Sequence, residues 1–152
     1  MTLPKCGLYK TTAEIEGVPA GRLVYFHNHG DPGPGIYLPE GWEFNRARFQ
    51  QQGRTLAEDE QAEDLEAVLP EGLYRVLETF TCCENDCRTF EAGLLVQVGY
   101  NGEAQPILFV PEWTERGLAF PMQGQPLDPG RLAKLEELKV AHRHVHGSDD
   151  TH

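Results

Sequence analysis

Residues 21–42, GRLVYFHNHGDPGPGIYLPEGW, have a counterpart in residues 93–113, GLLVQVGYNGEAQPILFVPEW, and comparing the two decides how the chain is organised. At an offset of 72 residues (93 against 21) they align without a gap through Glu40. Seven positions are identical: Gly21/Gly93, Leu23/Leu95, Val24/Val96, Gly30/Gly102, Pro34/Pro106, Pro39/Pro111 and Glu40/Glu112. Phe26/Val98, Ile36/Leu108, Tyr37/Phe109 and Leu38/Val110 keep their chemistry, and Trp42 meets Trp113 after one deletion. Flanking blocks repeat in the same order, which isolated chance matches do not. Gly7-Leu8-Tyr9-Lys10 matches Gly72-Leu73-Tyr74-Arg75 at an offset of 65, and Gln52-Gly53-Arg54-Thr55-Leu56 matches Gln123-Gly124-Gln125-Pro126-Leu127 at 71. The pattern predicts an internal duplication of a module of about 70 residues. The step in offset from 65 to 72 places a seven-residue insertion in the second copy, in the interval that carries Cys82, Cys83 and Cys87.

The expected division is a first β-rich copy with an acidic helix over residues 1–70, a second β-rich copy with the cysteine insertion and a helix over 71–140, and a mobile His-rich tail over 141–152. Within each copy the residues read as short strands. Leu23-Val24-Tyr25-Phe26 is apolar without interruption, which predicts a strand covered on both faces. The HNHGDPGPG run that follows is a loop, because its prolines and glycines cannot sustain a ladder. Asn101-Gly102 between two apolar runs signals a hairpin turn. Over residues 56–69 the period lengthens, with Ala62, Leu65, Val68 and Leu69 on one helical face and six acidic residues around the rest. Asp128 as N-cap, Pro129 at the first helical position and Leu132, Leu135 and Leu138 predict the second helix. The expected fold class is mainly β (α+β). It consists of two tandem related strand-rich modules, SH3-like small barrels, each followed by one helix and related by a pseudo-two-fold axis.

A chain of 152 residues buries enough surface to be stable without a metal or disulfide. The formal charge of -11, with no basic patch, excludes a nucleic-acid partner. No run reaches membrane-spanning length and the N-terminus lacks the apolar core of a signal peptide, so a cytoplasmic protein with reduced cysteines and no membrane partner is expected. The acidic run over residues 58–66 reads as a solvated face, with a docking face for a basic partner as the alternative. No phosphate-binding glycine loop, dinucleotide fingerprint or nucleophile elbow occurs.

A residue needed only to build the module should have a counterpart in the other copy, and the candidate binding residues are those that lack one. His27, Asn28, His29 and Asp31 stand opposite Gly99, Tyr100, Asn101 and Glu103. His-x-His on an extended segment can direct two imidazoles at one ion where a bulge or turn breaks the alternation, and Asp31 could complete a facial ligand set. The spacing Gly21-x5-His27-x-His29 resembles the start of the first cupin motif, a family of double-stranded barrels that often bind a metal. That resemblance covers nine residues and implies a metal-dependent enzyme with His27 and His29 as ligands. Gly33-Pro34 stand where the family's glutamate belongs, and no second motif with a distal histidine is recognisable.

The cysteine insertion offers a second candidate. Cys82, Cys83 and Cys87 could hold zinc if Cys6 or a histidine supplied the fourth ligand, although standard zinc sites use two separated pairs; ordinary thiols dispensable to the module are the alternative. His142, His144 and His146 in the tail would chelate transition metals as an affinity tag does. No cofactor is called for, zinc or another transition metal being the one ion these residues could take. The expected function is a non-catalytic binding or protein-interaction module, with a protein partner, working through the groove between the copies or the His27 loop. The alternative is the metal-dependent enzyme.

Overall fold

The computed structural model describes residues 2–30, 32–82 and 88–142. The chain is mainly β, with antiparallel sheets and two short 3-10 helices. Its first half contains β1 (Gly7–Thr11), β2 (Leu23–His27), β3 (Gly35–Tyr37), β4 (Pro39–Glu43), β5 (Arg46–Phe49), β6 (Arg54–Thr55), a 3-10 helix (Asp59–Asp64) and β7 (Leu65–Ala67). The second half contains β8 (Gly72–Val76), β9 (Phe80–Thr81), β10 (Thr89–Phe90), β11 (Leu95–Tyr100), β12 (Pro106–Phe109), β13 (Glu112–Thr114), β14 (Gly117–Ala119), β15 (Gln125–Pro126), a 3-10 helix (Pro129–Lys134) and β16 (Leu135–Glu137).

One five-stranded sheet runs β6-β3-β2-β1-β7 and another runs β15-β12-β11-β8-β16. Their registers coincide. Tyr9 faces Val24 where Tyr74 faces Val96; Phe26 faces Ile36 where Val98 faces Leu108; Ile36 faces Arg54 where Leu108 faces Gln125; Lys10 faces Glu66 where Arg75 faces Glu136. Local bonds coincide too. Tyr9 Oη donates to Lys5 O and Tyr74 Oη to Pro70 O, each at 2.7 Å. Gly21 (φ +83°) and Gly93 (φ +88°) both enter their strands in the left-handed region, which L side chains adopt at a cost, so glycine stands at both places.

Two expectations are corrected. Among the described residues no sheet closes into a barrel, whether of SH3-like or cupin form; each five-stranded sheet is open. The two long helices are also absent. Each shrinks to a six-residue 3-10 helix, Asp59–Asp64 or Pro129–Lys134, and the chain then straightens into β7 or β16. The physical reason is competition for the same residues. β1 and β8 would otherwise leave an unpaired edge, and Leu65-Glu66-Ala67 and Leu135-Glu136-Glu137 satisfy it with main-chain hydrogen bonds. Asp128 does occupy the N-cap position with Pro129 behind it, but its side chain makes no capping hydrogen bond.

Each sheet covers its own core. Val24, Phe26 and Ile36 pack with Tyr9, Ile15, Val18 and Leu56 in the first, where Tyr9 and Phe26 meet edge to face at 5.9 Å. Tyr74, Val76, Val96, Val98, Leu108 and Leu127 form the second. Leu23 turns away from its own core into the second one. This accounts for the unbroken apolar run in β2, where both Leu23 and Val24 are fully buried.

The halves are joined by the β4–β5 hairpin, which lies across β11. Trp42 Nε1 donates to Tyr100 O (2.8 Å), Gln97 Nε2 to Phe44 O (3.0 Å), Asn45 Nδ2 to Gln97 Oε1 (3.0 Å), and Ala47 N to Glu71 Oε2 (2.8 Å). Trp42 anchors this hairpin. The crossing is close enough that a Cβ on Gly99 would stand 2.7 Å from Asn45 O. Tyr100 Oη donates to Leu69 O (2.8 Å), so the link between the halves is pinned from the same strand.

Two outcomes are expected. Gly99→Ala forces two main chains apart and lowers stability by about 1–3 kcal/mol in chemical denaturation. Glu71 is half-buried, and desolvation holds its carboxyl above the ordinary 4.5, opposed by the bond from Ala47 and by Arg46. The folded state therefore binds this proton more tightly than the unfolded state, and the contribution is lost as pH rises above 4.5 through the folded value. Glu71→Gln keeps the acceptor for Ala47 and should flatten that decline, whereas Glu71→Ala orphans the amide and costs about 1–3 kcal/mol. Denaturation of both variants between acid and neutral pH checks the sign.

Candidate metal centre

The ladder that pairs β1 with β2 brings together three residues that are remote in sequence. Gly7 faces Phe26 in the antiparallel register, so Cys6 and His27, one step further out on each chain, emerge beside each other. Both then lie on the side of the sheet that carries Leu8 and Tyr25, opposite the core-facing Tyr9 and Phe26. Cys6 Sγ is 3.6 Å from His27 Nδ1. The chain turns after His27, and His29 folds back so that its ring centroid lies 4.0 Å from that of His27, with its Nδ1 3.9 Å from Cys6 Sγ.

The ligand atoms of Cys6, His27 and His29 all fall within 4.8 Å of one another. A tetrahedral or trigonal ion with ordinary Zn–S and Zn–N bonds holds a sulfur and a nitrogen about 3.5–3.8 Å apart. The sulfur–nitrogen distance to His27, 3.6 Å, falls in that range and the one to His29, 3.9 Å, lies just beyond it, so little movement is needed to bind an ion. Cys6 and His27 are half-buried and His29 is exposed, which places the centre at the surface with one side toward solvent.

Asn28 organises the surroundings. Its main-chain N–H donates to Cys6 Sγ (3.3 Å). Its side-chain Nδ2 donates to Pro4 O (3.1 Å), which ties the N-terminal segment to the loop and fixes which way the amide points. Its Oδ1 accepts from Cys6 Sγ (3.3 Å) and lies 2.7 Å from His29 Nδ1. A metal would displace the proton on Cys6 and take the lone pair of a neutral imidazole, so uptake releases protons and weakens as pH falls.

His27, Asn28 and His29 lie beside Cys6, while Asp31 lies outside the described residues. Cys6 belongs with these histidines. The sequence had grouped it with the insertion, and the missed signal was the hairpin register, since a strand starting at Gly7 and one ending at His27 place Cys6 opposite His27. Cys82 is fully buried in the second core with Phe80 and Phe90, and Cys83 and Cys87 lie outside the described residues, as do His144 and His146. Cys82 is therefore packed as a core residue.

A cleft of about 330 Å³ opens between the halves, lined by Val18, Arg22, Leu38, Trp42, Arg54 and Gly102. A second, of about 520 Å³, is lined by Lys10, Val68, Tyr100, Leu132 and Leu135 among others. Neither borders the Cys6 cluster, and among the described residues no buried side-chain polar atom lacks a partner. No helix of the described residues is long and apolar enough to cross a membrane. No protein-family model, curated protein or solved structure matches the chain.

Cys82→Ser should lower stability by about 1–3 kcal/mol, because it buries a hydroxyl in an apolar site. A chelator added to the wild type should leave the second core unaffected. Thermal unfolding of the variant and of the chelated wild type separates a core thiol from a zinc ligand.

Proposed function

We propose that the protein is a non-catalytic binding protein made of two copies of one SH3-like module, and that the first copy holds a single transition-metal ion, zinc foremost, through Cys6, His27 and His29. The duplication is supported by four strand pairings that recur in equivalent register in the two halves. The strand order β6-β3-β2-β1-β7, with a 3-10 helix leading into the last strand, is the basis for comparison with an SH3-like module.

The observation that carries the metal reading is the convergence of one thiol and two imidazoles at metal-ligand separation. Sulfur and nitrogen ligands suit zinc or copper rather than magnesium or calcium. A binding role is favoured over an enzymatic one because the cluster lies on a loop at the end of β1 and β2, away from both clefts. An ion there would fasten the segment before β1 to the loop after β2, adding to the bond from Asn28 to Pro4.

Cobalt(II) is the probe, because a thiolate-to-cobalt charge-transfer band reports sulfur ligation and ignores histidine-only sites such as the tail. The wild type should show the band at one equivalent, and Cys6→Ser should abolish it. His27→Ala and His29→Ala should each weaken zinc binding by about 100-fold or more, at or beyond the upper end of what outer-shell losses cause. A band that survives Cys6→Ser would move the site to the other cysteines and overturn this reading.

A further inference from the structure

We propose that the cleft between the halves binds a small amphipathic anion, a carboxylate or phosphate carried on a flat apolar body, with Arg22 and Arg54 on its oxyanion and Trp42 against its body. The cleft, of about 330 Å³, has the size of a small ligand pocket, and Val18, Leu38 and Pro39 line it beside these three residues. Apolar walls with a few charged groups are the make-up of a small-molecule site. The inference is independent of the metal, because the cleft does not border the Cys6 cluster.

Charge sets this cleft apart. The chain has 24 acidic residues against 13 Lys and Arg, yet two arginines and no carboxylate line the cleft. The second cleft carries Lys10 together with Glu66, which face each other in the ladder. Arg54 is held by a neutral group: its Nη1 donates to Glu16 O (2.9 Å), and among the described residues no carboxylate pairs with it. Gly17, at φ +85°, leaves room for that guanidinium, since a Cβ there would stand 3.0 Å from Nη1. Arg22 pairs with Glu103 of the second half at 3.5 Å, and both side chains are exposed. Exposed pairs of this kind are weak, so an entering anion can take the place of Glu103.

Neither arginine recurs in the second copy. Leu94 stands at the offset of 72 from Arg22, and Gln125 faces Leu108 where Arg54 faces Ile36. The planar fork of a guanidinium matches the oxygens of a carboxylate or phosphate. Trp42 is fixed in advance, because its indole N–H is bound to Tyr100 O, yet 46% of the residue is exposed. A rigid aromatic wall beside two cations fits an anion with a flat apolar body rather than a bare ion.

The test reads Trp42 fluorescence in the full-length chain carrying Trp113→Phe, which leaves one indole of the two. Chelator is present throughout, so the result does not depend on the metal reading. Benzoate and phenyl phosphate are the probes; benzyl alcohol and inorganic phosphate present the body and the head alone. At least one probe should saturate with a Kd of about 1 mM or tighter, and the tighter of the two identifies the head group. Arg22→Gln and Arg54→Gln should each weaken it by about 10-fold or more. Arg54→Gln also loses the bond to Glu16 O, so Arg22→Gln carries the test if that variant unfolds. Arg116→Gln, outside the cleft lining, should change nothing, and Glu103→Gln, which frees Arg22, should tighten binding by about twofold to fivefold. The proposal is overturned if neither probe saturates, if a folded arginine variant of the cleft binds like its parent, if Arg116→Gln or Glu103→Gln weakens binding as they do, or if benzyl alcohol or inorganic phosphate binds as tightly as the probes.

Discussion

The crossing of the β4–β5 hairpin over β11 is the constraint on which the rest of the arrangement depends. Two main chains approach so closely at Gly99 and Asn45 that no side chain fits between them. The hydrogen bonds around the crossing are directional and leave little freedom to slide: Trp42 to Tyr100, Asn45 to Gln97, Ala47 to Glu71. Leu23 contributes to this union from the other side by burying itself in the second core. The interface also draws in a carboxyl that burial makes costly to ionise, and the amide of Ala47 and the charge of Arg46 offset part of that cost.

The same place on the two equivalent sheets serves different chemistry. Where the second sheet has Glu71, Gly99 and Asn101, the first has Cys6, His27 and His29. Glu71 and Gly99 receive a hairpin; Cys6, His27 and His29 bring a thiol and two imidazoles to metal-ligand distance. A glycine that permits close approach and a histidine that forbids it are alternatives at one position, so a face that gains the proposed ligand set gives up hairpin docking in the form seen here.

The strands were legible where composition and period agreed. The bounds of β2 follow from the run Leu23-Val24-Tyr25-Phe26. The helices were misjudged because Ala62, Leu65 and Val68 satisfy a helical period and also permit one 3-10 turn followed by a strand. Only the unpaired edge of β1 decides between these. The hairpins were missed because Trp42, Trp113 and Leu118 are apolar but not buried in the core, and a sequence pattern does not distinguish an anchor or an exposed patch from an interior residue.

By itself the sequence determined the strand-rich class, the repeated order of blocks and the asymmetry of His27 and His29, because alternation, turn residues and repeated spacing are local properties of the chain. Only the tertiary structure decided that Cys6 joins these histidines while Cys82 does not, that the sheets stay open, and that one hairpin is docked while the other is exposed. Those outcomes rest on which segments meet across some twenty residues for Cys6 and His27 and about fifty for Asn45 and Gln97. Each such meeting is set by ladder register and by the space left at a crossing, and neither is written in any one stretch of residues.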